Sequence, residues 1–261
     1  MHEPKYNPTD SEASTTKPYT PPEIRTNVEV QPDAASVDLD TETIELISRN
    51  REILSQNPEI SEFLLPYYEV ALSRFPILAH VAILGTDGSG RIAQSRNRFN
   101  AENKTGHHEV IIDLSDGILE RIISELHQRP TTKQIIAVRM GEDQRRLTPQ
   151  KLLSHVFLHE LGHALENMLR GDDPESAKTI REERRAEMLS LPLPEWSSTS
   201  LLDPAEQAKI LAHVPDLFER LGVSNFSQVC ALQEAAYRRL PKEKYADDFA
   251  SAIMLGSEFP S

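Results

Sequence analysis

From Asp40 onward the apolar residues recur at helical spacing: Ile44, Ile47 and Leu54, then, past a break at Asn57-Pro58, Phe63, Leu64, Tyr67, Val70 and Ala71. Positions three and four apart share one helix face, so the spacing predicts two opening helices, each with a buried stripe. The pattern then changes. Residues 77–84 form a short β-prone run, and the polar, glycine-containing stretch 86–90 suits a tight connection into a second strand at 91–98. A third strand is expected at 108–113. An amphipathic run through Ile118, Ile122, Ile123 and Leu126 predicts a helix ending before Pro130, and the β-branched run 134–139 reads as a further strand. A small mixed sheet with a crossing helix therefore precedes a helix-rich remainder.

Thr148-Pro149 is a favourable helix start, Thr as cap and Pro in the first turn, and the helical pattern runs from there to about Leu169, closed by Gly171. The charged stretch 173–190 predicts another helix, Leu191-Pro-Leu-Pro194 breaks it, and Asp203-Pro204 opens further helices reaching to about Leu255. Residues 1–37 differ in kind. They hold six prolines among Ser, Thr, Glu and Asp, with too few large apolar side chains to offset the entropy of ordering, so a disordered tail is expected there and one folded domain over 38–261.

The net charge of −13, from 41 acidic against 28 basic residues, argues against nucleic acid as a partner, because a phosphate backbone would be repelled on average. The single cysteine, Cys230, lies in an apolar helical run and reads as a core residue; thiolate-rich metal sites are excluded, so any zinc must be held by His and carboxylates. No run approaches 18 apolar residues and the first residues lack a basic-then-apolar pattern, giving the expectation of a cytoplasmic protein without a membrane span. The sequence leaves the oligomeric state open.

The chemistry is concentrated in His159-Glu160-Leu161-Gly162-His163, inside the helix that begins at Thr148-Pro149. Four-residue spacing lets both imidazoles converge on one ion, with Glu160 beside them as general base toward a water. Neutral imidazoles with a carboxylate suit Zn²⁺, leaving a position for water whose pKa the metal lowers toward ~7. Gly162 within a helix costs about 1 kcal/mol relative to Ala, which suggests a second backbone passing close. His155 lies one turn earlier on the same face; a packed or exposed histidine is the plainer reading, a contact to the ligands or substrate the sharper one.

HELGHALE followed by the 243–250 stretch, EKYADDFA, resembles the gluzincin metallopeptidases, in which a glutamate on a later helix is the third ligand; CAAX-prenyl endopeptidases and the regulatory zincins that cleave repressors carry similar motif pairs. The resemblance implies His159, His163 and Glu243 as metal ligands, Glu160 as catalytic base and Asp247 as a support. It further implies an α+β, zincin-like metallopeptidase domain, with a helical C-terminal part delivering Glu243 and a protein or peptide as substrate. The missing transmembrane helices and DNA-binding module leave prenylated or repressor substrates unsupported.

Glu183, 20 residues after His163, and Glu187 compete with Glu243, which is 80 residues after it. Glu183 sits among Arg181, Arg184 and Arg185, a solvated pattern, whereas Glu243 belongs to an apolar helix face. Residues 108–113 are the expected strand for pairing with a peptide. His107, His108, Tyr237, Arg238 and Tyr245 are candidates for stabilising an oxyanion. Two rival functions stay open: a non-catalytic zinc-binding interaction module, and a metal-dependent hydrolase of a non-peptide substrate.

Overall fold

Asp40 accepts a hydrogen bond from Thr43 N at 2.7 Å and so starts α1 (Thr41–Leu54). Asn57 does the same for α2 (Pro58–Arg74), bonding Glu59 N at 3.0 Å ahead of a proline in the first turn. This computed structural model describes residues 40–88, 91–100, 105–171, 173–194 and 203–259; the tail expected at 1–37 lies outside them.

The described residues form an α+β fold, mostly helical, with a three-stranded mixed sheet. A 3-10 turn over Pro76–His80 leads into β1 (Val81–Thr86), followed by β2 (Ala93–Asn100) and β3 (Thr105–Asp113). The strand expected at 77–84 is thus part turn. The order is β1-β3-β2, with β1 parallel and β2 antiparallel to β3. The stretch 86–90 therefore does not join neighbouring strands, because β3 inserts between β1 and β2. Nor is β3 available for pairing with a peptide, as expected for 108–113: both of its edges are already bonded. The edge strands are β1 and β2, and β1 is closed. Asn50 of α1 donates to Val81 O at 2.8 Å and to Tyr68 Oη at 2.9 Å and accepts from Ile83 N at 2.8 Å, acting as a strand-like partner to β1.

After α3 (Ile118–His127), residues 130–139 are not a strand but the helix α4 (Pro130–Arg139). Its ends explain why. Pro130 occupies the first turn, and Gly141, at φ 64°, takes the left-handed conformation that lets Gly141 N bond Val138 O and Glu142 N bond Ala137 O. This paired bonding closes a helix C-terminus and overrides the β-branched composition between.

α5 (Pro149–Arg170), capped by Thr148, is buried over most of its circumference, including His155, Phe157, His159, Gly162 and His163. A helix buried on nearly all sides lies at the centre of its domain. The main apolar core surrounds it, with contributions from α2, the sheet, α3, α4 and, from the chain's end, Phe249, Ala250 and Ile253 of α10 (Pro241–Leu255). Following α5, α6 (Pro174–Leu189) buries only Ile180. A second, smaller core gathers Ile210 of α7 (Pro204–His213), Leu217 of α8 (Leu217–Leu221), and Val229 and Cys230 of α9 (Phe226–Tyr237). Cys230 is thus a packed residue, as its setting in the sequence suggests. No helix among the described residues is long and apolar enough to cross a membrane.

Candidate metal centre

α10 crosses α5 at Gly162, where an added β-carbon would lie 3.2 Å from both the Ala246 carbonyl oxygen and Phe249 Cβ. The glycine admits the second backbone that its place in a helix suggests, and the close crossing brings Glu243 over the HExxH face. His159 Nε2 stands 3.2 Å and His163 Nε2 3.6 Å from the same oxygen, Glu243 Oε2. All three side chains are buried, and their donor atoms lie within 4.8 Å of one another. Donors about 2.0–2.2 Å from one ion at tetrahedral angles would stand about 3.3–3.6 Å apart. The spacing and the two-nitrogen, one-oxygen set both fit a zinc-sized cation.

Each donor is aimed by a partner behind it. His159 Nδ1 is 2.8 Å from Asp247 Oδ1, so the proton on Nδ1 is held and Nε2 is the atom turned to Glu243. Asp247 in turn accepts from Arg238 at 3.0 Å and faces Arg139 Nε at 3.6 Å. Tyr237 Oη donates to Glu243 Oε1 at 2.7 Å, leaving Oε2 for the histidines. Of these supports, Arg139 is beyond reach when 134–139 is read as a strand; as part of α4 it pairs with both Asp247 and Asp248.

The electrostatics follow from burial set against these contacts. Burial alone would lower His159, but Asp247 and Glu243 together raise it to about 9. His163 is lowered, burial outweighing Glu243. Burial would raise Glu243 and Asp247, yet their bonds to the histidines, with Arg238 beside Asp247, hold both well below the usual carboxylate range. His155, stacked 6.4 Å from the His159 ring, is pushed down to about 3 by burial, and is a neutral packing neighbour.

No family model, curated protein or solved structure matches the chain. Function is therefore read from the centre's own chemistry.

Glu160 is adjacent to the three donors and faces β2, where its Oε2 accepts from Ser95 N at 2.7 Å. A backbone N–H turned outward from an edge strand carries no residue-type signal, so this contact is invisible in the sequence. The competing carboxylates are not among the converging donors: Glu183 is exposed and pairs with Arg170, and Glu187, partly buried on α6, acts on Glu243 only electrostatically. Among the oxyanion candidates only Tyr237 and Arg238 reach the centre, and their hydrogen bonds run to Glu243 and Asp247. Tyr245 packs edge-on against Phe259, while on β3 His107 is exposed and His108 buried.

Proposed function

We propose that the chain is a zinc-dependent peptidase of the zincin type, hydrolysing peptide bonds of a protein or peptide. The observation carrying the proposal is the convergence of His159, His163 and Glu243 beside a carboxylate, Glu160, that touches the open edge of β2. Zinc, when bound by these three residues, supplies a Lewis acid that polarises a carbonyl and acidifies water toward a pKa of ~7.

The chain's own residues supply the remainder. Glu160 accepts the proton of the attacking water and returns it to the leaving amine; the Ser95 N–H, by bonding its Oε2, fixes the direction of that carboxylate. β2 pairs only with β3 among the described residues, so its outer edge can align an extended peptide by main-chain hydrogen bonds. That role passes to β2 because β3 is interior. Asp247, by holding His159 Nδ1, and Tyr237, by holding Glu243 Oε1, keep the donors in place without a rearrangement cost.

The test is the Glu160→Gln protein, assayed for zinc content and for cleavage of a peptide library, with and without chelator. One zinc per chain retained and cleavage lost by at least about 10³-fold supports the peptidase. Zinc bound by the wild type with no peptide cleaved would favour the non-catalytic module.

A further inference from the structure

Next to the metal centre is a cleft of about 510 Å³, bounded on one side by Ser95 and Asn97 of β2 and on the other by α6, with Asn167 and Lys242 also lining it. It adjoins the centre at two points: Ser95 N is bonded to Glu160, and Lys242 immediately precedes Glu243. Its volume falls in the range that holds a side chain or a small ligand.

The lining is unusual for a chain of net charge −13: among the described residues it carries Arg181, Arg184 and Lys242 and no carboxylate. On α6 Arg184 lies three residues after Arg181 and four after Ile180, so the side of the helix that lines the cleft turns to it a buried isoleucine and two guanidiniums. Arg184 makes no hydrogen bond or ion pair among the described residues, and Arg181 spends only Nε, on Ala177 O. Lys242 is buried, and its Nζ donates to Asn167 Oδ1 at 3.1 Å, which anchors a cation in the cleft wall. Glu166, Glu187 and Glu243 act on Lys242 electrostatically, but none of them lines the cleft.

We propose that this cleft is a subsite for a carboxylate of the peptide substrate, supplied by an Asp or Glu side chain near the scissile bond or by the substrate's free C-terminus. Planar guanidiniums match a carboxylate by paired N–H donors, and Arg181 and Arg184 have such donors uncommitted. A peptide aligned on the β2 edge passes Ser95 and would drop an alternate side chain into the space between that edge and α6. The inference rests on the peptidase reading, and it makes the substrate acidic at one fixed position although the protein itself is acidic. Local cations, rather than the overall field, would then select it.

The test measures binding apart from cleavage. Fluorescent hexapeptides, N-acetylated and C-amidated, carry a single Glu at each position in turn and are titrated by anisotropy into zinc-loaded Glu160→Gln protein, alongside Gln counterparts and Gln peptides with a free C-terminus. The expected result is at least about tenfold tighter binding for a Glu at one position, or for the free C-terminus, with the preference abolished in the added Arg181→Glu/Arg184→Glu variant. Both arginines are exposed on α6, so that variant should fold. Equal binding of Glu, Gln and free-carboxylate peptides would overturn the proposal, as would a preference that survives the double substitution. Intact carboxylate binding with no cleavage of the same peptides by the wild type would sink the peptidase reading and leave the subsite standing.

Discussion

Gly162 and Ala246 mark the closest approach of α5 and α10: a β-carbon at 162 would come 2.9 Å from the Cα of Ala246, which is backbone and cannot swing aside. Gly162→Ala gains about 1 kcal/mol of helix propensity but overpacks the crossing, a cost of typically 1–3 kcal/mol. The expected net result is a melting temperature lower by a few degrees and, because Glu243 rides on α10, zinc affinity at least about tenfold weaker. Thermal melts and chelator competition measure these; a more stable variant with unchanged affinity would show that the helices have room to part.

Removal of the carboxylates should sort them by role. Glu243→Ala is expected to abolish stoichiometric zinc binding, whereas Glu183→Ala, which breaks only an exposed pair with Arg170, leaves it intact. Asp247→Asn keeps all three donors but loosens His159, so zinc affinity should fall about 10–100-fold. Metal analysis of the three proteins after dialysis decides among these, and zinc loss on removing Glu183 alone would reverse the assignment.

The pH dependence has a definite sign. In protein stripped of metal, His159 is raised from its ordinary 6.5 to about 9, so its contribution to stability is full below 6.5 and disappears as pH climbs through 9. Asp247 and Glu243 are lowered, so theirs is present above the ordinary carboxylate range and lost as pH falls below it. His155 and His163 are lowered by burial, so their contribution is lost as pH falls below 6.5, and stripped protein should therefore be most stable near pH 6.5. Zinc needs neutral His159, so its stabilising effect should grow from pH 6 to 9 with release of a proton. Melts with EDTA and with zinc across that range check both arms; a stripped protein that gains stability toward pH 9 would contradict the His159 pairings.

Ser95 permits a backbone test of the base. Its N–H points away from β3 to Glu160, so Ser95→Pro removes that donor and leaves the β2–β3 ladder whole. If this bond aims Glu160 at the attacking water, turnover should drop about 10–100-fold with zinc content unchanged. Unaltered turnover would mean that the contact does not matter for catalysis.

Much of the fold and the centre was legible from local chemistry. Thr148-Pro149 announced a helix start and Asn57-Pro58 a break between two helices, because caps and first-turn prolines act within a few residues. The same punctuation, Pro130 and Gly141, frames α4, where the β-branched interior misled because composition is weaker than the bonding at the two ends. Sheet order was not legible: β3 is the most apolar of the later strands because it is interior, while the polar β2 reads as surface and is the edge that faces Glu160. Contacts such as Tyr237 to Glu243 and Arg139 to Asp247 join side chains across a turn or helices distant in sequence, and neither leaves a pattern of spacing.

The amide of Asn50 gives the sheet a direction. With β1 sealed by a side chain that imitates a neighbouring strand, β2 is, among the described strands, the edge at which a further strand can join. Substrate and a second molecule's exposed strand would thus compete for one berth, and a good peptide ligand should act as a solubiliser, suppressing self-association as it binds. Asn50→Leu would leave Ile83 N–H and Val81 C=O unsatisfied beneath α1, at about 1–3 kcal/mol each. It should lower the melting temperature to the same extent with and without peptide, which thermal melts in both conditions would check.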